Sequence, residues 1–198
     1  MSSFRLHYIP EETEALKKWH SGLAETFLTE LGIKEGSFVL DFGCGAGSYV
    51  IPAAKIVKTS GKVFAIDKEQ IVIDEINERA EEYDLTTQIE AIKTGGSFSL
   101  PIEDETMDFI LVFDVIGAIA NRQGLEGIEQ LMKEFKRLLK SSGKLILALK
   151  HINNWQIPKP LVMKTISNYF NLEKEVTMTH LHWDFLEEGI ITFMLKKE

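Results

Sequence analysis

Three glycines at alternate positions, Gly43, Gly45 and Gly47, follow an apolar run that ends in an acid, Asp41. Glycine adopts positive φ angles and lets a backbone approach a ligand without a Cβ in the way. Such a loop, placed between a β-strand and the N-terminus of a helix, is typical of a cradle for a small, nucleotide-like molecule. The segment therefore predicts a strand–loop–helix unit with a ligand at the loop.

Strand and helix patterns alternate along the chain after this loop. Apolar runs predict strands at residues 37–42, 62–66, 88–93, 108–113 and 144–149. Apolar residues at helical spacing predict helices at residues 16–31, 48–58, 70–83 and 125–139, with the turn Ser141-Ser142-Gly143 ending the last of these. This alternation predicts a parallel α/β sheet with right-handed crossovers.

The pattern changes after Pro160. A helix is predicted at residues 161–170, followed by strands at about 172–178 and 190–195. About ten residues separate these two strands, which is too few for a helical crossover, so they are predicted to pair antiparallel. The predicted fold class is a Rossmann-like, doubly wound, mostly parallel seven-stranded sheet with a C-terminal antiparallel strand pair.

The length of 198 residues predicts a single domain. This domain is predicted to consist of an N-terminal helical segment (1–34) that could cover the site, a cofactor-binding core (35–150), and a C-terminal helix with the strand pair (151–198). The net charge of −8 argues against a broad nucleic-acid or anionic-membrane surface. The single cysteine, together with the lack of a span of about 18 apolar residues, predicts a soluble, cytoplasmic protein without a membrane span. The sequence is compatible with either a monomer or a homodimer.

The glycine loop does not match the dinucleotide pattern. Counting from Gly43, the sixth position of a G-x-G-x-x-G motif holds Ser48, and Asp41 ahead of the glycines is not a dinucleotide feature. Asp67, twenty residues after Gly47, suits the ribose of either a dinucleotide or another nucleoside cofactor. A nicotinamide-dependent oxidoreductase is therefore disfavoured.

Four segments stand in a recognisable order and spacing: Val39-Leu40-Asp41-Phe42-Gly43-Cys44-Gly45-Ala46-Gly47, Val63-Phe64-Ala65-Ile66-Asp67, Leu100-Pro101 followed by residues 107–115, and Leu138-Leu139-Lys140-Ser141-Ser142-Gly143-Lys144-Leu145. With them the chain resembles the class I S-adenosylmethionine-dependent methyltransferases, in the group around the ubiquinone/menaquinone-type enzymes. The resemblance covers about residues 35–150. It implies S-adenosyl-L-methionine as cofactor and methyl transfer to a small-molecule acceptor by in-line displacement.

The resemblance also implies roles for the matched positions. The methionine end of the cofactor would lie at Asp41, Gly43, Cys44, Gly45 and Gly47. The ribose hydroxyls would bind Asp67, and the adenine would lie near Lys68, Gly96, Ser97 and Phe98. Phe113 and Asp114 would face the sulfonium region.

Two positions depart from the family pattern. Gly96 stands where many relatives carry an acid, and Ala118 stands where a histidine is frequent. These departures motivate an alternative, in which the chain is a methyltransferase-fold module with weak or no catalysis that acts through protein interaction.

Methyl transfer depends mainly on proximity, alignment and desolvation, and a general base is needed only for an acceptor that is protonated. His151, after the fifth strand, is the candidate base, with Asp114 as a second catalytic candidate. A loop histidine and a surface acid are the structural alternatives for these two. His7 and Tyr8 could contribute if the N-terminal segment folds over the site.

Other side chains with suggestive chemistry have structural interpretations as well. His180 and His182 could bind a metal from one strand face, but no third ligand is evident nearby, so a surface strand end is favoured and no metal is predicted. Trp155, Trp183 and Phe185 could line an aromatic substrate pocket, but such residues more often belong to the core or cap the edge of a sheet.

Overall fold

The computed structural model describes residues 13–95, 98–149 and 156–198. Seven strands form one sheet in the order β3-β2-β1-β4-β5-β7-β6. The strands are β1 Phe38–Phe42, β2 Lys62–Asp67, β3 Ile89–Lys93, β4 Met107–Phe113, β5 Leu139–Ala148, β6 Phe170–His182 and β7 Phe185–Lys196. Strands β1–β5 pair in parallel, whereas β7 is antiparallel to both β5 and β6. The predicted fold class is confirmed.

The helices cover both faces of this sheet. They are α1 Glu14–Lys18, α2 Ala24–Glu30, α3 Val50–Val57, α4 Gln70–Glu82, α5 Ile116–Leu138 and α6 Lys159–Ile166. A π-helical turn, Trp19–Leu23, joins α1 to α2. The single helix predicted at residues 16–31 was wrong in this respect, because Gly22 at a φ of 125° breaks the helical backbone.

The turn predicted at Ser141-Ser142-Gly143 was also wrong. Strand β5 already begins at Leu139, which pairs with Met107, and the register then shifts so that Lys144 pairs with Phe109. The extra residues are accommodated as an irregularity within the strand. Gly143 is required there, since a Cβ at this position would lie 2.8 Å from the carbonyl oxygen of Met107.

The C-terminal strands are antiparallel as predicted, but they are far longer than predicted. Their connection is a two-residue turn, Trp183-Asp184, rather than about ten residues, since His182 pairs with Phe185. The polar residues near the turn masked the strand pattern in the sequence. Strand β6 runs in the same direction as β5, so the turn lies at the carboxyl edge of the sheet.

Both faces of the central strands are buried. Neighbouring residues Val39 and Leu40 point to opposite faces, and each is fully shielded from solvent. Burial on both sides explains why the parallel strands are continuous apolar runs in the sequence. Among the residues that the structure describes, no helix has the length and apolar character to cross a membrane.

Six residues with sequence-based predictions lie outside the described part of the chain: His7, Tyr8, Gly96, Ser97, His151 and Trp155.

Candidate functional site

The strand order reverses between β1 and β4. The chain proceeds from β1 outward through β2 to β3 on one side, and from β4 outward to β5 on the other. Open α/β sheets bind their ligands at such a switch point, beyond the carboxyl ends of the strands. The glycine loop follows β1, and Asp114 follows β4, so both lie at this position.

The glycine loop is shaped by three positive φ angles, 79° at Gly43, 48° at Gly45 and 73° at Gly47. A Cβ on Gly43 would lie 2.6 Å from Cγ2 of Val115, so the loop packs directly against the segment after β4. A Cβ on Gly45 would meet no heavy atom within 4 Å. Gly45 thus presents bare backbone at the open side of the loop.

Asp67, at the end of β2, holds the glycine loop in this shape. Its Oδ2 accepts a hydrogen bond from the backbone N–H of Gly45 at 3.2 Å, and its Oδ1 accepts one from the N–H of Glu69 at 3.0 Å. The guanidinium of Arg79 on α4 donates to the carbonyl of Ala46 from the other side. Lys68 is exposed and lies 3.4 Å from the Glu69 carboxylate.

Asp41 is a buried carboxylate with an unused oxygen. Its side chain is 4% exposed, and its Oδ2 has no hydrogen-bond partner among the described residues. Burial, and secondarily the charge of Asp67, raise the pKa of Asp41 to about 7. Buried charges are normally paired, so this oxygen is suited to a ligand that brings a positive charge or a donor.

Cys44 lies inside the same loop and is buried. Burial, with the nearby Asp41 and Asp67, raises the pKa of its thiol well above the ordinary value. The thiol therefore stays neutral and packs as a small apolar group.

Asp114 is linked to the tip of the β6–β7 hairpin, a contact that the sequence analysis did not predict. Its Oδ2 lies 3.2 Å from Nε2 of His182 and accepts a hydrogen bond from the Trp183 indole at 3.3 Å. The other imidazole nitrogen of His182 lies 2.7 Å from Oε1 of Glu187. Asp114 itself has a φ of 57°. Such backbone strain in a residue other than glycine is frequent at functional sites.

An aromatic cluster supports the glycine loop from below. Tyr49 packs edge-on against Phe113 and Trp19, with ring centroids 4.7 and 5.1 Å apart. Its hydroxyl donates to the carbonyl of Leu181 at 2.6 Å, while the Trp19 indole donates to the carbonyl of Ser48 at 2.9 Å. The cluster joins the N-terminal helices, the loop and the hairpin tip into one packed unit.

Comparison with known proteins agrees with this geometry. A family model described as a methyltransferase domain matches residues 33–190, which is most of the chain. The chain belongs to the methyltransferase domain family. The sequence-based resemblance is thereby confirmed.

Two curated relatives and one solved structure illustrate the similarity. A demethylmenaquinone methyltransferase from Lactobacillus johnsonii is 28% identical over 77% of this chain and 58% of the relative. A probable cobalt-precorrin-6B C(15)-methyltransferase from Saccharolobus solfataricus is 32% identical over 64% of this chain and 61% of the relative. The crystal structure of a SAM-dependent methyltransferase from Aquifex aeolicus superposes with a TM-score of 0.68 at 23% identity, covering 88% of this chain and 89% of that one.

The matched segment thus spans about three fifths of the length of these curated relatives. Their names describe different acceptors, and the solved structure establishes the fold. The likeness therefore identifies the domain and leaves the acceptor to be argued from the site.

The residues of this methyltransferase domain fit S-adenosylmethionine, which is its cofactor. The unpaired oxygen of Asp41 is suited to the ammonium group of the methionine part, and the exposed backbone of Gly45 allows close approach. The carboxylate of Asp67, already positioned by two backbone bonds, is available to ribose hydroxyls. Phe98, which follows β3 in the chain and is half-buried, packs on Phe42 with ring centroids 6.3 Å apart.

The two histidines of β6 differ from their sequence-based interpretation. They were predicted to form a surface strand end, but His180 and His182 are both buried. His180 stacks on Phe27, and His182 lies between two carboxylates. Throughout residues 13–95, 98–149 and 156–198, no group of histidines, cysteines and acids is arranged to hold a metal ion. Trp183 and Phe185 are exposed at the hairpin tip, so the core interpretation was wrong for them.

Proposed function

We propose that this protein transfers the methyl group of S-adenosylmethionine to a small-molecule acceptor by in-line displacement. The observation that most supports this proposal is the buried oxygen of Asp41 without a hydrogen-bond partner in the described part of the chain, beside an intact glycine loop at the switch point of the sheet. A catalytic reaction of this kind needs alignment and exclusion of water more than a dedicated acid or base.

The chain's own residues supply that alignment. Asp41 binds the ammonium group of the cofactor. The loop from Gly43 to Gly47, including Cys44, lies along its methionine part. Asp67 accepts the ribose hydroxyls and fixes the loop through Gly45 at the same time. The bound cofactor supplies a methyl group on a cationic sulfur, which is an activated electrophile.

The acceptor side is formed by the end of β4. Phe113 and Asp114 face the region where the sulfonium would lie, and the aromatic packing of Tyr49 against Phe113 excludes water from beneath it. Asp114 is fixed by His182 and Trp183, so its carboxylate has a defined direction. We assign Asp114 to orient the acceptor.

Other sequence-based roles remain part of the proposal. Lys68 and Phe98 flank the adenine, with Gly96 and Ser97 lying outside the described residues. His151, also outside them, is proposed as the base for a protonated acceptor. The same proposal includes a single domain divided into residues 1–34, 35–150 and 151–198. It also includes a cytoplasmic location, a small-molecule partner rather than nucleic acid, and a possible homodimer.

Isothermal titration calorimetry tests the cofactor half of this function. S-adenosylmethionine and S-adenosylhomocysteine should bind one per chain, whereas NADH should give no heat of binding. Absence of binding at millimolar cofactor would refute the proposal. Release of S-adenosylhomocysteine with a panel of small acceptors tests the transfer half. Tight cofactor binding without turnover on any acceptor would instead support the module that acts through protein interaction, which nothing in the site or the comparisons favours.

A further inference from the structure

The β6–β7 hairpin reaches beyond the strand it packs against. Strand β5 ends at Ala148, opposite Ile191, while β6 and β7 continue to pair with each other for six further residue pairs, up to His182 with Phe185. At about 3.3 Å per residue this extension is roughly 20 Å long. It brings the two-residue turn back over the carboxyl end of β4, next to Asp114.

Three contacts fix the hairpin tip on the rest of the domain. Tyr49, just after the glycine loop, donates to the carbonyl of Leu181. Thr13, which caps α1, donates from its hydroxyl to the carbonyl of Asp184 at 2.8 Å. The Trp183 indole donates to Asp114. The tip is therefore held as a defined wall of the site.

Trp183 presents an aromatic face beside a partly exposed carboxylate. Trp183 is 71% exposed even though its indole N–H donates to Asp114, whose side chain is 21% exposed. Trp183 also has a φ of 60°, a conformation that is rare for a large side chain. Phe185 packs on His182 at a centroid distance of 5.0 Å and is itself partly exposed. A hydrophobic ring is thus kept in water next to a negative charge.

An indole face combined with a carboxylate is complementary to an alkylammonium group. The ring attracts a cation through its quadrupole, and the carboxylate pairs with it directly. An anionic nucleophile, such as a phenolate or an enolate, would instead be repelled by Asp114. The charge and the aromatic face at this place therefore favour a cationic acceptor over an anionic one.

We propose that the Trp183 face and the Asp114 carboxylate form the acceptor subsite, and that the acceptor is an amine. An amine that binds as its ammonium ion first releases a proton to water. The lone pair of the neutral nitrogen then forms the new N–C bond, the C–S bond breaks with its electron pair remaining on sulfur, and the positive charge passes to nitrogen. Asp114 and the Trp183 ring stabilise that charge as it develops. Where the amine carried a hydrogen, the product ammonium then releases a proton to water. This inference rests on the proposed methyltransferase function.

His182 and Glu187 act as positioning residues in this arrangement. Nε2 of His182 lies within hydrogen-bond distance of Asp114, and Nδ1 lies 2.7 Å from the Glu187 carboxylate. The imidazole in turn fixes the direction of Asp114. Neither side chain needs to touch the acceptor.

The subsite can be tested without knowledge of the natural acceptor. Full-length ¹⁵N-labelled protein, saturated with S-adenosylhomocysteine, is titrated with tetramethylammonium chloride and, separately, with tert-butanol as a neutral molecule of similar size. The indole N–H resonance of Trp183, assigned from its loss in Trp183→Phe, should shift saturably with the cation alone. Equal shifts with both molecules, or none with the cation, would overturn the subsite.

A turnover assay with paired acceptors tests the substrate class. Benzylamine and longer amines are compared with benzyl alcohol and with phenols of the same skeleton. For an amine that is methylated, Trp183→Leu should raise KM about tenfold, Trp183→Phe should raise it less, and the affinity for S-adenosylmethionine should not change. Leu172→Ala is the control, because Leu172 is an exposed apolar residue at the opposite end of the same hairpin.

The results separate the two proposals. If phenols are methylated and no amine is, the amine inference is wrong while the methyltransferase function stands. If S-adenosylmethionine does not bind at all, the proposed function itself fails.

Discussion

Oδ2 of Asp114 lies 3.2 Å from Nε2 of His182, although 68 residues separate them in the sequence. The first residue follows the central strand β4, and the second ends β6 at the sheet edge. The contact therefore closes the site with a hairpin that lies two strands away from β4, beyond β5 in the sheet order. Its strength should be measurable in both stability and catalysis.

Replacement of His182 should loosen this closure. His182→Ala removes the group between Asp114 and Glu187 and leaves two carboxylates facing each other. We expect the free energy of unfolding to fall by about 1–3 kcal/mol, measured by urea denaturation at pH 7. Thr179→Ala, an exposed site on the same strand, is the control and should change stability little. Equal stability of both variants would show that the contact contributes nothing to closure.

The raised pKa of Asp41 should make stability depend on pH. In the unfolded chain this carboxyl ionises near 3.8, whereas in the folded protein it keeps its proton until about 7. Between these values the folded state binds more protons, so the free energy of unfolding falls as pH rises, by roughly 4 kcal/mol in total. Asp41→Asn should remove this slope, as measured by denaturation at pH 5 and pH 8. Exposed Asp74→Asn should retain it.

The same carboxyl should link cofactor binding to protons. An ammonium group pairs with ionised Asp41, so binding at pH 6 releases a proton, and affinity should increase with pH up to about 7, at most about tenfold per unit. Calorimetry in two buffers of different ionisation enthalpy measures the released proton. Asp41→Asn should bind more weakly and release none. Proton release that persists in this variant would have to come from another group.

Gly45 should matter for the cofactor more than for the fold. A Cβ at Gly45 meets no atom of the protein within 4 Å, but it projects where the backbone must approach the ligand. We expect Gly45→Ala to fold, with strain of about 1 kcal/mol, and to bind S-adenosylmethionine far more weakly. Gly36→Ala is the matched control, because Gly36 also has a positive φ and lies at the opposite end of β1. Similar cofactor affinity in the two variants would remove Gly45 from the site.

Asp67 should show a dual role. Asp67→Ala loses the proposed ribose contact and the bond from Gly45, so cofactor affinity should fall by about 1–3 kcal/mol. Asp67→Asn keeps an acceptor oxygen and should lose less. Calorimetry with S-adenosylhomocysteine measures both, and Glu90→Gln on exposed β3 serves as control. If Asp67→Ala binds normally, the ribose lies elsewhere.

The thiol of Cys44 should report on the integrity of the loop. It is the only cysteine of the chain, is buried, and has a raised pKa. At pH 8 the folded protein should react slowly with a thiol reagent such as Ellman's reagent, while the unfolded protein reacts fast. Rapid reaction of the folded protein would mean that the loop opens readily.

Local patterns in the sequence were sufficient for the fold and the cofactor. Residues 39–47 carry an apolar strand, an acid and three glycines at alternate positions, and the central strands are apolar because both sheet faces are buried. The positions of the parallel strands and the cofactor follow from such short-range signals. The ends of helices and strands were less well predicted. The helix break at Gly22, the start of β5 at Leu139 and the short turn at Trp183 depend on packing rather than on periodicity.

Only the tertiary structure brought Asp114, His182 and Trp183 together. His182 and Trp183 are neighbours in the chain, but no spacing relates them to Asp114, because the contact requires β6 and β7 to extend past β5 and return over β4. The raised pKa of Asp41 also depends on the tertiary structure, because it results mainly from burial of the carboxyl group in the folded protein. The sequence by itself determined the family, the sheet and the cofactor loop, whose signals are local. The acceptor side of the site was decided by long-range packing.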